Sequence, residues 1–179
     1  MKPYLSFCLA LVLVACASSQ PAPVVFDLGI APAAAPARPV NVQLLDVAAP
    51  PWLAGPGLAY RLDYSEPLRR QVYRDSRWAA PPAELLAERL RQRAAASGGV
   101  GKPVLLRLEL EEFGQVFDAP GKSRVLLRLR AWREGQPAPR VFAADLPAAS
   151  ADAAGAAQAL ARAADSVVDQ LLAWAATPP

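Results

Sequence analysis

Leu106, Leu108 and Leu110 alternate with Arg107, Glu109 and Glu111, and beyond Asp118-Ala-Pro-Gly-Lys122 a second run alternates Val125, Leu127 and Leu129 with Leu126, Arg128 and Arg130. A period of two sends successive side chains to opposite faces of a strand. The Pro-Gly turn between the runs makes them a β-hairpin with one apolar and one solvated face. With Glu109 set opposite Arg130, Glu111 falls opposite Arg128. Such cross-strand pairs contribute about 0.2–1 kcal/mol each, so they fix register more than they stabilise. Glu112 then carries the parity of the apolar face, which calls for a bulge ahead of Phe113 and Phe117.

Two helices frame this hairpin. Pro81-Pro82 open the first, since proline is tolerated where a helix N–H has no partner. Ala83, Leu86, Leu90 and Ala94 recur at helical spacing, Glu84, Glu88, Arg89 and Arg91 occupy the remaining faces, and Ser97-Gly98-Gly99 stops the helix. The last helix is expected from about Ala151 to Ala175 with Asp152 as N-cap. Its apolar stripe is Ala157, Leu160, Ala164, Val167, Val168, Leu171 and Trp174. Further strands are expected over 24–30, 40–47, 58–62, 70–74 and 141–146, with a Pro/Ala connection over 31–39 that cannot be helical throughout. Hairpin-like connections dominate this order. The fold class predicted is α+β, a mainly antiparallel sheet with two main helices packed on it.

The amino terminus is a separate matter. Behind Lys2, the stretch from Tyr4 to Ala15 is almost unbroken in its apolar character. It is far short of the ~20 residues that span a bilayer, and suits the apolar region of a secretory signal. It ends Leu13-Val14-Ala15-Cys16 and turns polar at Ala-Ser-Ser-Gln. This spacing resembles the lipobox of bacterial lipoproteins, which implies a diacylglyceryl group on the Cys16 thiol, cleavage just before it and an acylated new amino terminus. Cys8 lies inside the apolar run with no polar boundary behind it and reads as one more small residue. The organisation expected is a lipoprotein signal peptide over 1–15, a lipidated terminus and tether over 16–23, and one domain over 24–179. Ala17 stands where many lipoproteins retained in the inner membrane carry Asp, so the periplasmic face of the outer membrane is the expected location.

Absences narrow the chemistry. There is no histidine among the 179 residues, hence no imidazole base, His-based triad or His metal ligand. Lipidation of Cys16 would consume the one thiol left after signal removal, which excludes thiolate catalysis, a disulfide and the common zinc sites. No metal and no cofactor is expected. The net charge is +3 and the Lys and Arg residues are scattered, so nothing marks a nucleic-acid surface. Gly121-Lys122-Ser123 lies between strands and has Val116 where a phosphate loop needs glycine. Gly98-Gly-Val-Gly-Lys102 leaves a helix and enters a strand, the reverse of a phosphate-binding helix start. Glu109 and Glu111 share a solvated face with Arg partners and do not read as a catalytic pair. The chain is expected not to be an enzyme.

Trp52-Leu53-Ala54-Gly55-Pro56-Gly57-Leu58-Ala59-Tyr60-Arg61, then Tyr64, then Arg77-Trp78-Ala79-x-Pro81-x-x-x-Leu85, resembles the ABC-type transport auxiliary lipoproteins. Leu108 to Asp118 is similar to that family's later strand, and Ser150 to Ala157 to the start of its terminal helix. The resemblance covers roughly residues 24–175. It implies a lipid-anchored periplasmic accessory subunit of an ABC transport system with a mammalian-cell-entry (MCE) type component, associated with moving lipids or other hydrophobic molecules between the membranes. Expected partners are the membrane, through the N-terminal lipid, an MCE-domain protein, and further copies of the chain in a homo-oligomer. Trp52, Leu53, Arg61, Tyr64, Arg77 and Trp78 are the candidate partner-binding residues, since Trp and Arg are enriched at interface anchors. For Trp78 a second role stands beside this one, packing under the first turn of the following helix as a hydrophobic staple does. Two other functions remain open. A periplasmic lipid-binding carrier would need an apolar pocket, for instance between sheet and helices; an envelope hydrolase would have to work through Ser or carboxylates.

Overall fold

A computed structural model describes residues 21–32 and 38–178 of the chain. Cys16, Cys8 and the signal lie outside the described residues. The elements are β1 (Val24–Phe26), β2 (Val42–Ala48), β3 (Gly57–Leu62), β4 (Glu66–Trp78), α1 (Pro82–Ala96), β5 (Val104–Ala119), β6 (Lys122–Arg133), β7 (Arg140–Pro147) and α2 (Ala153–Ala175), with a 3-10 turn at Pro51–Leu53. The strands form one seven-stranded sheet in the order β1-β4-β3-β5-β6-β7, and β2 lies beside β5 off that path.

The α+β class holds, but the sheet is mixed. β3/β4, β5/β6 and β6/β7 are antiparallel, while β1/β4, β2/β5 and β3/β5 are parallel. The long strand β5 explains this. β2 runs along its first half and β3 along its second, and α1 is the crossover that returns the chain parallel to β3. The antiparallel pairs join sequence neighbours through turns. The parallel pairs join segments distant in the chain, which local alternation does not reveal.

The β5–β6 hairpin keeps the expected register as far as Glu109↔Arg130 and Leu110↔Leu129, then shifts so that Glu112, not Glu111, sits opposite Arg128. The bulge falls where Glu112's parity demanded it. β1 stops at Phe26 because Asp27 accepts a 2.7 Å hydrogen bond from the Gly29 N–H and Gly29 turns to φ 69°. β4 runs much further than 70–74, since it forms a hairpin with β3 and then takes β1 on its other side.

The α2 stripe behaves as expected: Ala157, Leu160, Ala164, Val167, Val168, Leu171 and Trp174 are all buried, with the helix packed on β5, β6 and β7. Asp152 caps it by accepting from the Gly155 N–H at 2.7 Å. Where α1 ends, the Ser97 hydroxyl donates to the Ala94 carbonyl at 2.7 Å and meets the Val40 backbone. A Cβ on Gly99 would stand 2.0 Å from the Val40 carbonyl carbon, so only glycine lets β2 start against this helix end.

One face of α1 departs from the sequence reading. Helical spacing puts Arg89 off the apolar stripe, on one of the remaining faces, yet it is 2% exposed. It pairs with Asp165 at 2.6 Å and also donates to the Leu28 and Gly29 carbonyls. One turn on, Arg93 meets Asp169 and the Pro32 carbonyl. Both pairs rise together in number, so α1 and α2 run in the same direction, tied to each other and to the chain entering from β1.

Candidate functional site

The sheet face away from α2 carries the charges of the β5–β6 hairpin. Arg128 and Arg130 both reach Glu111, at 2.6 and 2.5 Å, and Arg130 lies 3.7 Å from Glu109. Arg124 bridges Asp118 and Asp145 at 3.0 and 2.8 Å. These acids are acceptors for guanidinium groups rather than a spaced acid/base pair. The bulge also turns Glu112 to this face, where Arg70 of β4 holds it through hydrogen bonds of 2.6 and 2.9 Å. Charge assistance on two parallel bonds fixes both side chains in place.

The same Arg70 stands under Trp52. Its guanidinium carbon is 5.4 Å from the indole centroid, within cation–π range. The 3-10 turn at Pro51–Leu53 works as a hinge between inside and outside: it buries Leu53 and leaves Trp52 57% exposed. Trp52, Ala59, Arg69, Arg70 and Val72 surround an open recess of about 430 Å³. Leu68 and Val72 on β4 are also exposed. Beyond residue 75 that strand is paired by β1, but from 66 to 75 its outer edge has no strand partner among the described residues. The result is a corner with an aromatic anchor, a cation held in place and an open strand edge.

The six residues singled out from sequence divide into surface and core. Trp52, Tyr64 and Arg77 are exposed, and Arg61 is half-buried and tied to Asp63 at 2.9 Å. Leu53 and Trp78 are each 1% exposed, so neither side chain offers contact surface. Trp78 packs edge-on against Phe113 of β5 with ring centroids 5.3 Å apart, a core contact with the sheet. Its indole Nε1 is buried and has no hydrogen-bond partner among the described residues. Arg70, Glu112 and Val72 were missed. Only Glu112 left a signal, its wrong parity on the apolar face.

On the other face of β3 and β4, Tyr60 and Tyr73 stack at 4.8 Å and Phe117 meets Tyr60 edge-on. Tyr60 donates to Gln71, Tyr73 to Gln115, and Gln115 to Ser123. Burial pushes the Tyr73 phenol up to about 12, helped by the charge of Asp152 and by Tyr60. At neutral pH it stays a hydrogen-bond donor. Among the described residues no group of three or more His, Cys, Asp or Glu is placed to hold a metal ion, and no helix is long and apolar enough to cross a membrane.

Comparison with known proteins places this geometry. The model of a family described as ABC-type transport auxiliary lipoprotein components matches residues 26–172. No curated protein matches the chain. Among solved structures, the chain is similar to XCC0632 of Xanthomonas campestris, a protein of family DUF330, with 22% identity, a TM-score of 0.69, and coverage of 84% of this chain and 92% of that one. A second, uncharacterized protein shares 16% identity with a TM-score of 0.63, over 86% and 98% of the two chains. At these identities the likeness is one of fold.

Proposed function

Because the chain belongs to the family of ABC-type transport auxiliary lipoprotein components, we propose that it is a non-enzymatic adaptor that docks onto the MCE-type component of an ABC transport system. The adaptor is held by a lipid on Cys16 at the periplasmic face of the outer membrane, works as a homo-oligomer, and serves the movement of lipids or other hydrophobic molecules between the membranes. Two or three acyl chains give stable anchoring where one is marginal.

The observation that carries the docking reading is the Trp52–Arg70–Glu112 stack. An exposed indole over a guanidinium fixed by two short hydrogen bonds is a preorganised anchor of the kind that dominates interface energetics. Tyr64 and Arg77, both exposed, are further contact candidates in this reading. The non-enzymatic part rests on the acids of the open face, which are occupied by arginines, and on the absence of histidine. Co-purification from a cross-linked envelope is the test. The MCE protein should accompany the wild-type chain and be lost with Trp52→Ala. Its retention in full by Trp52→Ala would remove this surface from the account.

A further inference from the structure

We infer that the open face of the sheet holds one phospholipid-like amphiphile in a recess at the β2/β5/β6 end, with its acyl chain on Leu45, Leu105 and Trp132 and its phosphate on Arg107. This deepens the transport reading by naming the ligand class, and rests on that reading only for the step from ligand to cargo.

The recess has a volume of about 390 Å³ and is lined by Leu45, Leu105, Arg107, Trp132, Arg133 and Glu134. That size falls within the ~300–1,000 Å³ of small-molecule sites. The sheet builds its floor. Leu45 is the extra residue where the β2/β5 register slips between Leu44 and Asp46, and it is left 51% exposed. Leu105 sits beside it on β5, and Trp132 lies opposite Arg107 on β6. Arg130 stands over the Trp132 ring at 5.9 Å. An apolar floor on an otherwise charged face has no use for a bare ion. It suits a hydrocarbon chain.

The charges on the rim point the same way. Arg124, Arg128 and Arg130 on this face are all ion-paired, and Arg133 is engaged by the Thr177 carbonyl at 2.6 Å. Arg107 and Glu134 differ. Both are exposed, both line the recess, and among the described residues neither side chain has a hydrogen bond or ion pair. Asp46, opposite Arg107 in register, makes no ion pair with it either. A guanidinium with no ion partner among the described residues is open to phosphate oxygens through its fork of donors. A carboxylate equally open in the same recess matches an ammonium. A phosphoethanolamine-type headgroup carries both.

The test uses the purified full-length protein and lysophosphatidylethanolamine with a brominated acyl chain, added below its micellar concentration. Bromine quenches only an indole that it touches. The expected result is saturable quenching that disappears in Trp132→Phe and needs at least about tenfold more probe in Arg107→Gln, as loss of a charge-assisted bond implies. The brominated phosphatidylglycerol analogue should bind more weakly to the native protein and equally well to Glu134→Gln. Absence of saturable quenching, or quenching that survives Trp132→Phe, overturns the site. Inorganic phosphate should displace the probe only at concentrations far above the probe's own; displacement at equal concentration would show an ion site and overturn the amphiphile. Equal binding of the two headgroups by the native protein overturns the role of Glu134. Arg107→Gln should still co-purify with the transporter; loss of co-purification in the native chain would fail the adaptor reading and leave the binding result standing.

Discussion

Arg70 and Glu112 come from strands that are not neighbours, yet their side chains meet through two hydrogen bonds of 2.6 and 2.9 Å across the open face of the sheet. The contact depends on a single bulge, which turns Glu112 out of the apolar pattern. It also sets Arg70 under Trp52. Both partners are roughly a quarter exposed, so the pair contributes less to stability than to the placement of the indole. Glu112→Gln should therefore lower the stability of the domain by no more than about 1–2 kcal/mol. Partner binding should fall markedly more than folding does. Denaturant titration beside a binding isotherm separates the two.

Trp78 gives the opposite pattern. It is a core residue against Phe113, so Trp78→Ala should cost about 3–5 kcal/mol, a large share of the ~5–15 kcal/mol of a typical domain. Trp78→Phe keeps an aromatic ring and removes the orphaned indole N–H, and should cost clearly less. A Trp78→Ala protein that melts like wild type but loses its partner would place Trp78 at an interface instead.

The clamp between the helices predicts an asymmetry. Asp165→Ala leaves Arg89 buried without its ionic partner, a loss of about 3–5 kcal/mol. Arg89→Met leaves Asp165, which still reaches water, and substitutes a chain of similar length; it should be the milder change. Thermal melts of the two variants read the order directly.

Acid titration tests two carboxylates with opposite signs. Burial raises Asp165 above its ordinary 3.8, against the pull of Arg89. Its folded form holds the proton more tightly than the unfolded chain, so this contribution is full below 3.8 and lost as pH rises through the folded value. The hydrogen bonds from the Gly155 N–H and the Ser150 hydroxyl lower Asp152 below 3.8. That contribution is present above 3.8 and lost as pH falls through the folded value. Asp152→Asn keeps an N-cap acceptor, so the variant should lose less stability than wild type on going from about pH 5 to pH 2. Denaturant midpoints across that range check it.

For Cys16 the expectation concerns location. Cys16→Ala should release the protein from membranes or leave an unprocessed precursor, while Cys8→Ala does neither. Fractionation of the two variants decides between them.

Period and parity in the sequence carried the β5–β6 hairpin, its bulge, the α2 stripe and the Asp152 cap, because each is a local pattern on one element. Tertiary choices were not legible. Nothing in the spacing of Arg89 or Arg93 announces that α2 will bring Asp165 and Asp169 against them, and the parallel strands pair segments far apart in the chain. The candidate site was half legible for the same reason. Tryptophans signal a large apolar side chain but not its side of the backbone, so both Trp52 and Trp78 stand as partner-binding candidates in the sequence, with only the Pro-led helix behind Trp78 pointing to packing. The 3-10 turn exposes the first, and the end of β4 buries the second.

The central claim is that this domain meets an MCE-type transporter component through the Trp52 corner. A photo-crosslinking residue at position 52, in cells that carry the native transport system, tests it most directly. The account predicts a covalent adduct with the MCE protein, absent when the same residue replaces the exposed Val100 at the α1–β5 connection. No adduct at position 52, together with a reproducible hydrolytic activity of the purified protein, would contradict it.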